Sequence, residues 1–283
     1  TATTKPAWLT FVDNGDGTAT LSGTPSNAEV GDHTVEIEVS DGSLTDTQSF
    51  TLTVGNTNDA PVITSSDTVN AAENQTGVMT VTSTDDDLDT VTYSITGGAD
   101  SALFSIDANT GVLTFAAAPD FETLDDADNN GIYEVQVTAN DGNGGTDVQA
   151  ISVTVTNVNE TPTDITPNSF SVDENTDTSG GYTVGTLSTT DEDAGDTFTY
   201  TVVGGADQTA FSIGGAGDNE LILTDDILNH ETKPSYQVTV RSTDAGGLWY
   251  EETLTVSVND LNDAPVITSS ATVNADENQT GVI

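Results

Sequence analysis

The sequence predicts an all-β chain, built as antiparallel β-sandwiches repeated in a linear array. Three observations carry this. Six stretches, "HTVEIEVSDG" (33–42), "SFTLTVGN" (49–56), "YEVQVTANDG" (133–142), "QAISVTVTN" (149–157), "YQVTVRSTDAGG" (236–247) and "ETLTVSVND" (252–260), alternate apolar with polar residues. Period 2 in Val, Ile and Thr, bounded by Gly, Asn and Asp, is the signature of half-buried strands. No helical stripe interrupts them. Finally, the same marks return about every hundred residues, as sequential repeats of one supersecondary unit do.

Composition sets the chemical limits. The chain has 283 residues, with 47 Asp plus Glu against three basic residues, no Cys and a formal charge of −44. Low hydrophobicity with high charge is also the mark of disorder, but the regular alternation argues for folded strands. A nucleic-acid partner needs clustered Lys and Arg, and Lys5, Lys233 and Arg241 are scattered. The same charge opposes adhesion to anionic lipid. No run of about 18 apolar residues reads as a membrane-spanning helix. Without disulfides to brace small domains, an acidic chain points to hard cations as the brace, rather than zinc.

The repeat sets the domains. The marker Asn58-Asp59-Ala60-Pro61 returns as Asn159-Glu160-Thr161-Pro162 and Asn262-Asp263-Ala264-Pro265, at spacings of 101 and 103 residues. "TSTDDDLDTVTYSITGGADSALFSI" (82–106) answers to "LSTTDEDAGDTFTYTVVGGADQTAFSI" (187–213), and "VTANDGNGGT" (137–146) to "VRSTDAGGLW" (240–249). Two modules follow, 58–159 and 160–261, each with about seven strand-like runs, as an antiparallel sandwich requires. Residues 1–57 end like the others but lack an N-terminal half, and their "DNGDGT" (13–18) reads as a hairpin turn. Residues 262–282 repeat 58–78 with only Asp67→Ala and Ala72→Asp changed, so 262–283 reads as a linker and first strand of a further module. With no initiator Met or signal peptide, the expectation is an internal piece of a longer array. The proline-bearing joints, with no Gly/Ser spacer, are expected to be short and open to stiffening.

The acids fall in order rather than at random. The module 58–159 carries Glu73, Asp85 and Asp87, Asp120 and Glu122, and Asp141; the next carries Glu174, Asp191 and Asp193, Glu231, and Asp244. An Asp-x-Asp on extended backbone puts both carboxylates on one side. Short motifs scattered along a sandwich converge only at its ends, where loops gather.

This arrangement resembles the cadherin repeat, in the form found in very large secreted bacterial adhesins. The family's xEN motif is matched by Glu73-Asn74, Glu174-Asn175 and Glu277-Asn278, and its DxD loop by Asp85/Asp87 and Asp191/Asp193. Its DRE-like motif is matched by Asp120-Phe121-Glu122 and, with a departure, by Asn229-His230-Glu231. Its linker is matched by Asn56/Asn58/Asp59, Asn157/Asn159/Glu160 and Asp260/Asn262/Asp263, and its late Asp by Asp141 and Asp244. Residues 1–57, with "PAWLTF" and "LSGTP", resemble the dystroglycan-type relative of that repeat. The resemblance implies Ig-like sandwiches, an extracellular place on or outside a bacterial cell, and Ca²⁺ held between neighbouring modules of the same chain.

At the joint of 58–159 with 160–261 it implies ligands Glu73, Asp120, Glu122, Asn157, Asn159, Glu160, Asp191, Asp193 and Asp244, seven carboxylates for three ions. The preceding joint has Asn56, Asn58, Asp59, Asp85, Asp87 and Asp141; the following one has Glu174, Glu231, Asp260, Asn262 and Asp263. Both are expected to hold fewer ions. A separate stretch, "DDADNNG" (125–131), places Asp126, Asp128, Asn130 and Gly131 as at the start of a calcium loop, although Val137 stands where the closing Glu belongs. The bland alternative is that Asp-rich loops serve turns and solubility, and it accounts for many of the 47 acids.

The implied function is a calcium-stiffened stalk; the rival is a calcium-dependent carbohydrate- or protein-binding module, including contact between like chains. Paired carboxylates resemble a glycosidase dyad, but they recur in every module among further acids that calcium claims. His33 and His230 stand apart, so no enzyme is expected. Of the two tryptophans, Trp8 reads as core and Trp249 as exposed, and one aromatic makes no sugar platform.

Overall fold

In a computed structural model the structure describes residues 1–268 and 277. Apart from 262–268 and Glu277, the expected segment 262–283 thus lies outside the described residues, and with it Asn278 of the third xEN. The described chain is all-β apart from three single-turn 3-10 helices. It divides into two compact units, Thr1–Val158 and Asn159–Ile283.

The first unit opens with β1 (Ala2–Thr4), β2 (Leu9–Asp13), β3 (Ala19–Gly23), β4 (Gly31–Ser40) and β5 (Thr45–Val54). β2 and β3 pair around residues 14–18, so "DNGDGT" is the expected hairpin turn. β4 and β5 form a long hairpin with β1 on its edge. Apolar burial is thin here: only Leu9 and Val35 are buried, and Trp8, expected in the core, is half-buried and meets His33 edge-on.

The rest of that unit runs from β6 (Val62–Ile63) through β7 (Thr68–Ala72), β8 (Gly77–Thr80), β9 (Ser83–Thr84), β10 (Thr92–Gly97), β11 (Phe104–Ile106) and β12 (Val112–Phe115) to β13 (Ile132–Asn140) and β14 (Thr146–Thr156). One sheet has the order β10-β13-β14-β7 and the other β11-β12-β8. All the pairs are antiparallel except β7, which joins β14 in parallel. Along β13 the inward residues Tyr133, Val135, Val137 and Ala139 are buried, as a period-2 strand demands. Tyr133, Val135 and Val137 join Ile151, Val153 and Val155 of β14, and the facing sheet's Phe104, Leu113 and Phe115, in one core. Each such side chain contributes about 1.5–3 kcal/mol on burial.

The second unit repeats this plan. Its strands are β15 (Asp164–Thr166), β16 (Ser169–Asp173), β17 (Tyr182–Thr186), β18 (Ser188–Thr190), β19 (Thr199–Gly204), β20 (Phe211–Gly214), β21 (Glu220–Leu223), β22 (Ser235–Thr243) and β23 (Trp249–Asn259). The sheets have the orders β16-β23-β22-β19 and β17-β21-β20, with β16 parallel to β23. Tyr236, Val238 and Val240 stand where Tyr133, Val135 and Val137 stand in the first unit. Nine short strands, rather than about seven runs, make each of these sandwiches, and β6 with β9, like β15 with β18, forms a separate two-stranded pair.

The shared "GGAD" is a structural hinge of the repeat. Gly98 has φ +103° and Gly205 φ +100°, and a Cβ on either would sit 2.5 Å from the Cα of Val135 or Val238. Only glycine meets both the left-handed backbone and the close approach. The turn then aims Asp100 and Asp207 back at the neighbouring strand, where they accept the amides of Glu134 (2.7 Å) and Gln237 (2.8 Å).

Candidate metal centre

The buried glutamates come first, because they tie the loops together. Glu73 follows β7 and is 3% exposed; it accepts the amides of Val158 (2.8 Å, Oε1) and Phe121 (2.7 Å, Oε2). Glu174 follows β16, is 2% exposed, and accepts the amides of Leu261 (2.6 Å) and His230 (3.0 Å). Those amides hold the Glu174 carboxyl below its usual range. The Asn after each glutamate takes positive φ, +61° at Asn74 and +62° at Asn175, a conformation that Asn tolerates better than most. Each xEN therefore fixes a linker and a loop to the end of its sheet.

Around Glu73 stand Asp120 and Glu122, and ligand oxygens of the three lie within 4.8 Å of one another. Asp120 Oδ1 accepts the amide of Thr123 (2.8 Å), and Asn157 donates its side-chain amide to Glu122 (3.1 Å). In the second unit Glu174, Glu231 and Asp263 make the matching group, with His230, Glu231 and Asp260 beside it. Asn229 Oδ1 still accepts the amide of Thr232 (2.8 Å), so it keeps the turn that Asp120 makes but not the charge. Asn262 is exposed and donates to the Asp263 carbonyl (3.3 Å).

At the opposite end of each sandwich lie the Asp-x-Asp motifs, and here extended backbone was the wrong expectation. Asp85 and Asp87 lie in a tight turn, because Asp85 Oδ1 accepts the amides of Asp87 (3.0 Å) and Asp89 (3.2 Å). Asp191 Oδ1 does the same for Asp193 (3.2 Å). A short carboxylate folds the chain back onto itself more readily than it leaves it straight. The turn gives the members different tasks. Asp87 and Asp193 accept the linker amides of Asp59 (2.6 Å) and Glu160 (2.7 Å). Asp141 and Asp244 accept the side-chain amides of Asn58 (2.8 Å) and Asn159 (3.0 Å). Asp59 also accepts from Asn27 (2.5 Å), whereas Asn56 is exposed.

Sequence reasoning missed a third acid in each of these turns. Asp85, Asp89 and Asp141 bring ligand oxygens within 4.8 Å of one another. The counterpart of Asp89 is Asp196. Burial above all pushes the Asp191 carboxyl up, helped by the charges of Asp193, Asp244 and, least of these, Asp196, while the Asp193 amide pulls it partly back. The signal was present, since "DDDLD" and "DEDAGD" each place an acid two or three residues beyond the pair. By contrast the Asn58 amide holds the Asp141 carboxyl down.

Whether these groups suit a cation is decided by their unshared oxygens. Asp85 Oδ2, Asp191 Oδ2 and Asp196 Oδ2 are buried and have no hydrogen-bond donor. A carboxylate oxygen stripped of water and given no donor is costly, and two like charges near 5 Å repel by roughly 3 kcal/mol at an effective dielectric near 20. A donor set of carboxylates, amides and carbonyls, with no sulfur and one marginal His, fits Ca²⁺. The loop 125–131 is a separate group: Asp126 is 4% exposed, and its Oδ2 accepts the amides of Asn130 (2.8 Å) and Gly131 (3.2 Å). Asp128 Oδ2 accepts from the Asn130 side chain (2.9 Å).

Elsewhere, His33 contacts the Glu29 carbonyl. Trp249 is 49% exposed and lies under the Arg241 guanidinium, 4.3 Å from its ring, while Arg241 pairs with Glu251 at 2.6 Å. No described helix is long and apolar enough to cross a membrane.

Residues 67–158 match the family model of the cadherin domain, and the Ig domain model He_PIG matches residues 1–55. Human protocadherin-15 is 30% identical over 215 residues, 71% of this chain and 10% of that protein. The human cadherin EGF LAG seven-pass G-type receptor 2 is 30% identical over 265 residues, 89% of this chain and 9% of the receptor. The chain spans a small part of such relatives, 3% of mouse protocadherin Fat 4 and 21% of human protocadherin gamma-B7. Among solved structures, the protocadherin GammaB4 extracellular domain aligns at TM-score 0.55 and 25% identity, covering 92% of this chain and 43% of that one. A protocadherin gammaB7 EC3-6 cis-dimer structure shares the fold at TM-score 0.60, with 21% identity, 90% of this chain and 65% of that one.

Proposed function

We propose that this chain of cadherin-like repeats is a calcium-stiffened extender of a large extracellular adhesin, bacterial by its motif set, with residues 1–57 as a dystroglycan-type relative of the repeat. It carries no catalytic activity in this reading. The observation that carries the proposal is the recurrence, in both units, of carboxylates gathered within 4.8 Å beside the linker strands, with aspartate oxygens buried and without donors.

Calcium supplies the positive charge that such groups lack and takes 6–8 oxygens in tolerant geometry. Glu73, Asp120, Glu122, Asn157, Asn159, Glu160, Asp191, Asp193 and Asp244 would hold it at one joint. That these share a joint rests on the order of the motifs along the sequence. Asn58, Asp59, Asp85, Asp87, Asp89 and Asp141 serve the joint before, and Glu174, Glu231, Asp260 and Asp263 the joint after. The chain's own part is orientation. Glu73 and Glu174 fasten the linker amides, and Asp141 and Asp244 fasten the linker asparagines. Without metal the gathered charges oppose one another, by an amount comparable with a domain's ~5–15 kcal/mol stability.

Replacing Asp191 and Asp193 together by Ala tests this. The double variant is expected to lose much of the calcium-induced rise in Tm while keeping the strand signature in circular dichroism without calcium. An unchanged calcium response contradicts the assignment. Direct glycan recognition has little to stand on, since Trp249 is one aromatic already stacked by Arg241.

A further inference from the structure

The acidic loop 125–131 takes no part in the joints of the proposed function. The loop between Glu122 and β13 exposes Ala127, Asp128, Asn129 and Asn130, yet Asp126 in its midst is 4% exposed. A carboxylate side chain is rarely buried without partners for both oxygens. Here the two oxygens are treated unequally. Oδ2 takes the amides of Asn130 and Gly131, which draws the carboxylate inside the loop; Oδ1 is buried with no hydrogen-bond donor. The same division marks Asp85 and Asp191, each with one oxygen spent on turn amides and the other buried without a donor.

The surroundings exclude the ordinary remedies. No Lys, Arg or His lies in residues 101–150. Asp100, which braces the loop from β10's end, has both oxygens taken by the amides of Ala127 (2.7 Å) and Glu134 (2.7 Å). Asp125 accepts the Tyr133 hydroxyl (2.7 Å). The next side-chain oxygens along the chain are those of the Asp128 carboxylate, whose Oδ2 accepts from the Asn130 side chain, and the Asn130 amide oxygen, which accepts the Ile132 amide (2.6 Å). Gly131, at φ +76°, lets the chain turn immediately after them. Two carboxylates and an amide, all hard oxygen donors, match a divalent calcium ion in charge and in kind, with water completing the shell.

We infer that the Asp126–Gly131 loop is a calcium site separate from the joints, with Asp126 and Asp128 as charged ligands and Asn130 as a neutral one. It stands on this loop alone and does not need the joint assignment. It is also singular, because the matching stretch "DDILNHETKPS" (225–235) has no Asp-x-Asp-x-Asn-Gly. Its effect is local, fixing the approach to β13.

The test is calorimetric calcium titration of the full chain, beside Asp128→Ala and Asp126→Asn. Asp128 is exposed, so its replacement leaves the fold intact and decides the matter. The expected result is one ion fewer in each variant. Terbium supplies a site-specific readout, because Tyr133 touches Asp125 beside the loop: tyrosine-sensitised emission is expected to lose the same component in Tyr133→Phe and in Asp128→Ala. An ion count unchanged by Asp128→Ala overturns the inference. A wild-type chain that binds a single ion, lost in Asp128→Ala, sinks the joint assignment and leaves this one standing; a chain that binds none sinks both.

Discussion

At the residue scale, the same side chains do two things at once, and this separates the proposed ligands from bystanders. Glu73, Glu174, Asp85 and Asp191 each spend hydrogen-bond capacity on backbone amides that set a loop or linker. What they have left faces like charge. Composition alone showed 47 acids; only geometry sorts those that cap turns from those that gather. Gly98 carries the sharpest test at this scale. Gly98→Ala meets both a disfavoured φ and the Val135 backbone at 2.5 Å. It is expected to cost about 3 kcal/mol in urea unfolding. A loss near zero would show that the β10 turn relaxes freely and that the "GGAD" repeat has another cause.

At the element scale, strands were far more legible than loops. All six alternating stretches fall on β4, β5, β13, β14, β22 and β23, because burial on one sheet face writes period 2 directly into Val, Ile and Tyr. The acidic loops were legible as sets but not as shapes. Two aspartates at i and i+2 read as extended only if their carboxylates ignore nearby amides, and Asp85 and Asp191 do not. Asp89 and Asp196 stand close to their pairs in sequence, but only the folded turn shows that they gather with them, whereas Asp100 acts on Glu134, far along the chain. Elements also predict an alkaline response. Burial first, then hydrogen bonds to Asp125 and Asp225, push the Tyr133 and Tyr236 phenols well above the ordinary 10.0. A raised folded pKa means the stabilisation is complete below pH 10.0 and fades as pH climbs through the folded value. Two of the six tyrosines are therefore expected to ionise late, or together with unfolding, in an absorbance titration with chelator. Tyr133→Phe with Tyr236→Phe should remove that late component; its survival would assign it to other tyrosines.

At the scale of the whole molecule, an unusual composition becomes intelligible. A chain with formal charge −44 and three basic residues has almost no internal ion pairs to offset its acids; the two salt bridges among the described residues are Lys233–Asp207 and Arg241–Glu251. Its sandwiches are small, and no disulfide braces them. In the proposed reading, charge that is a burden without metal is what calcium would use to join modules, at the acids gathered beside the repeated linker. The measurement that tests this most directly is small-angle scattering of the whole chain in calcium and in chelator. We expect a larger maximum dimension and a narrower distance distribution with calcium, relaxing to a shorter, broader one on chelation. Superimposable curves in the two conditions would contradict the calcium-stiffened stalk.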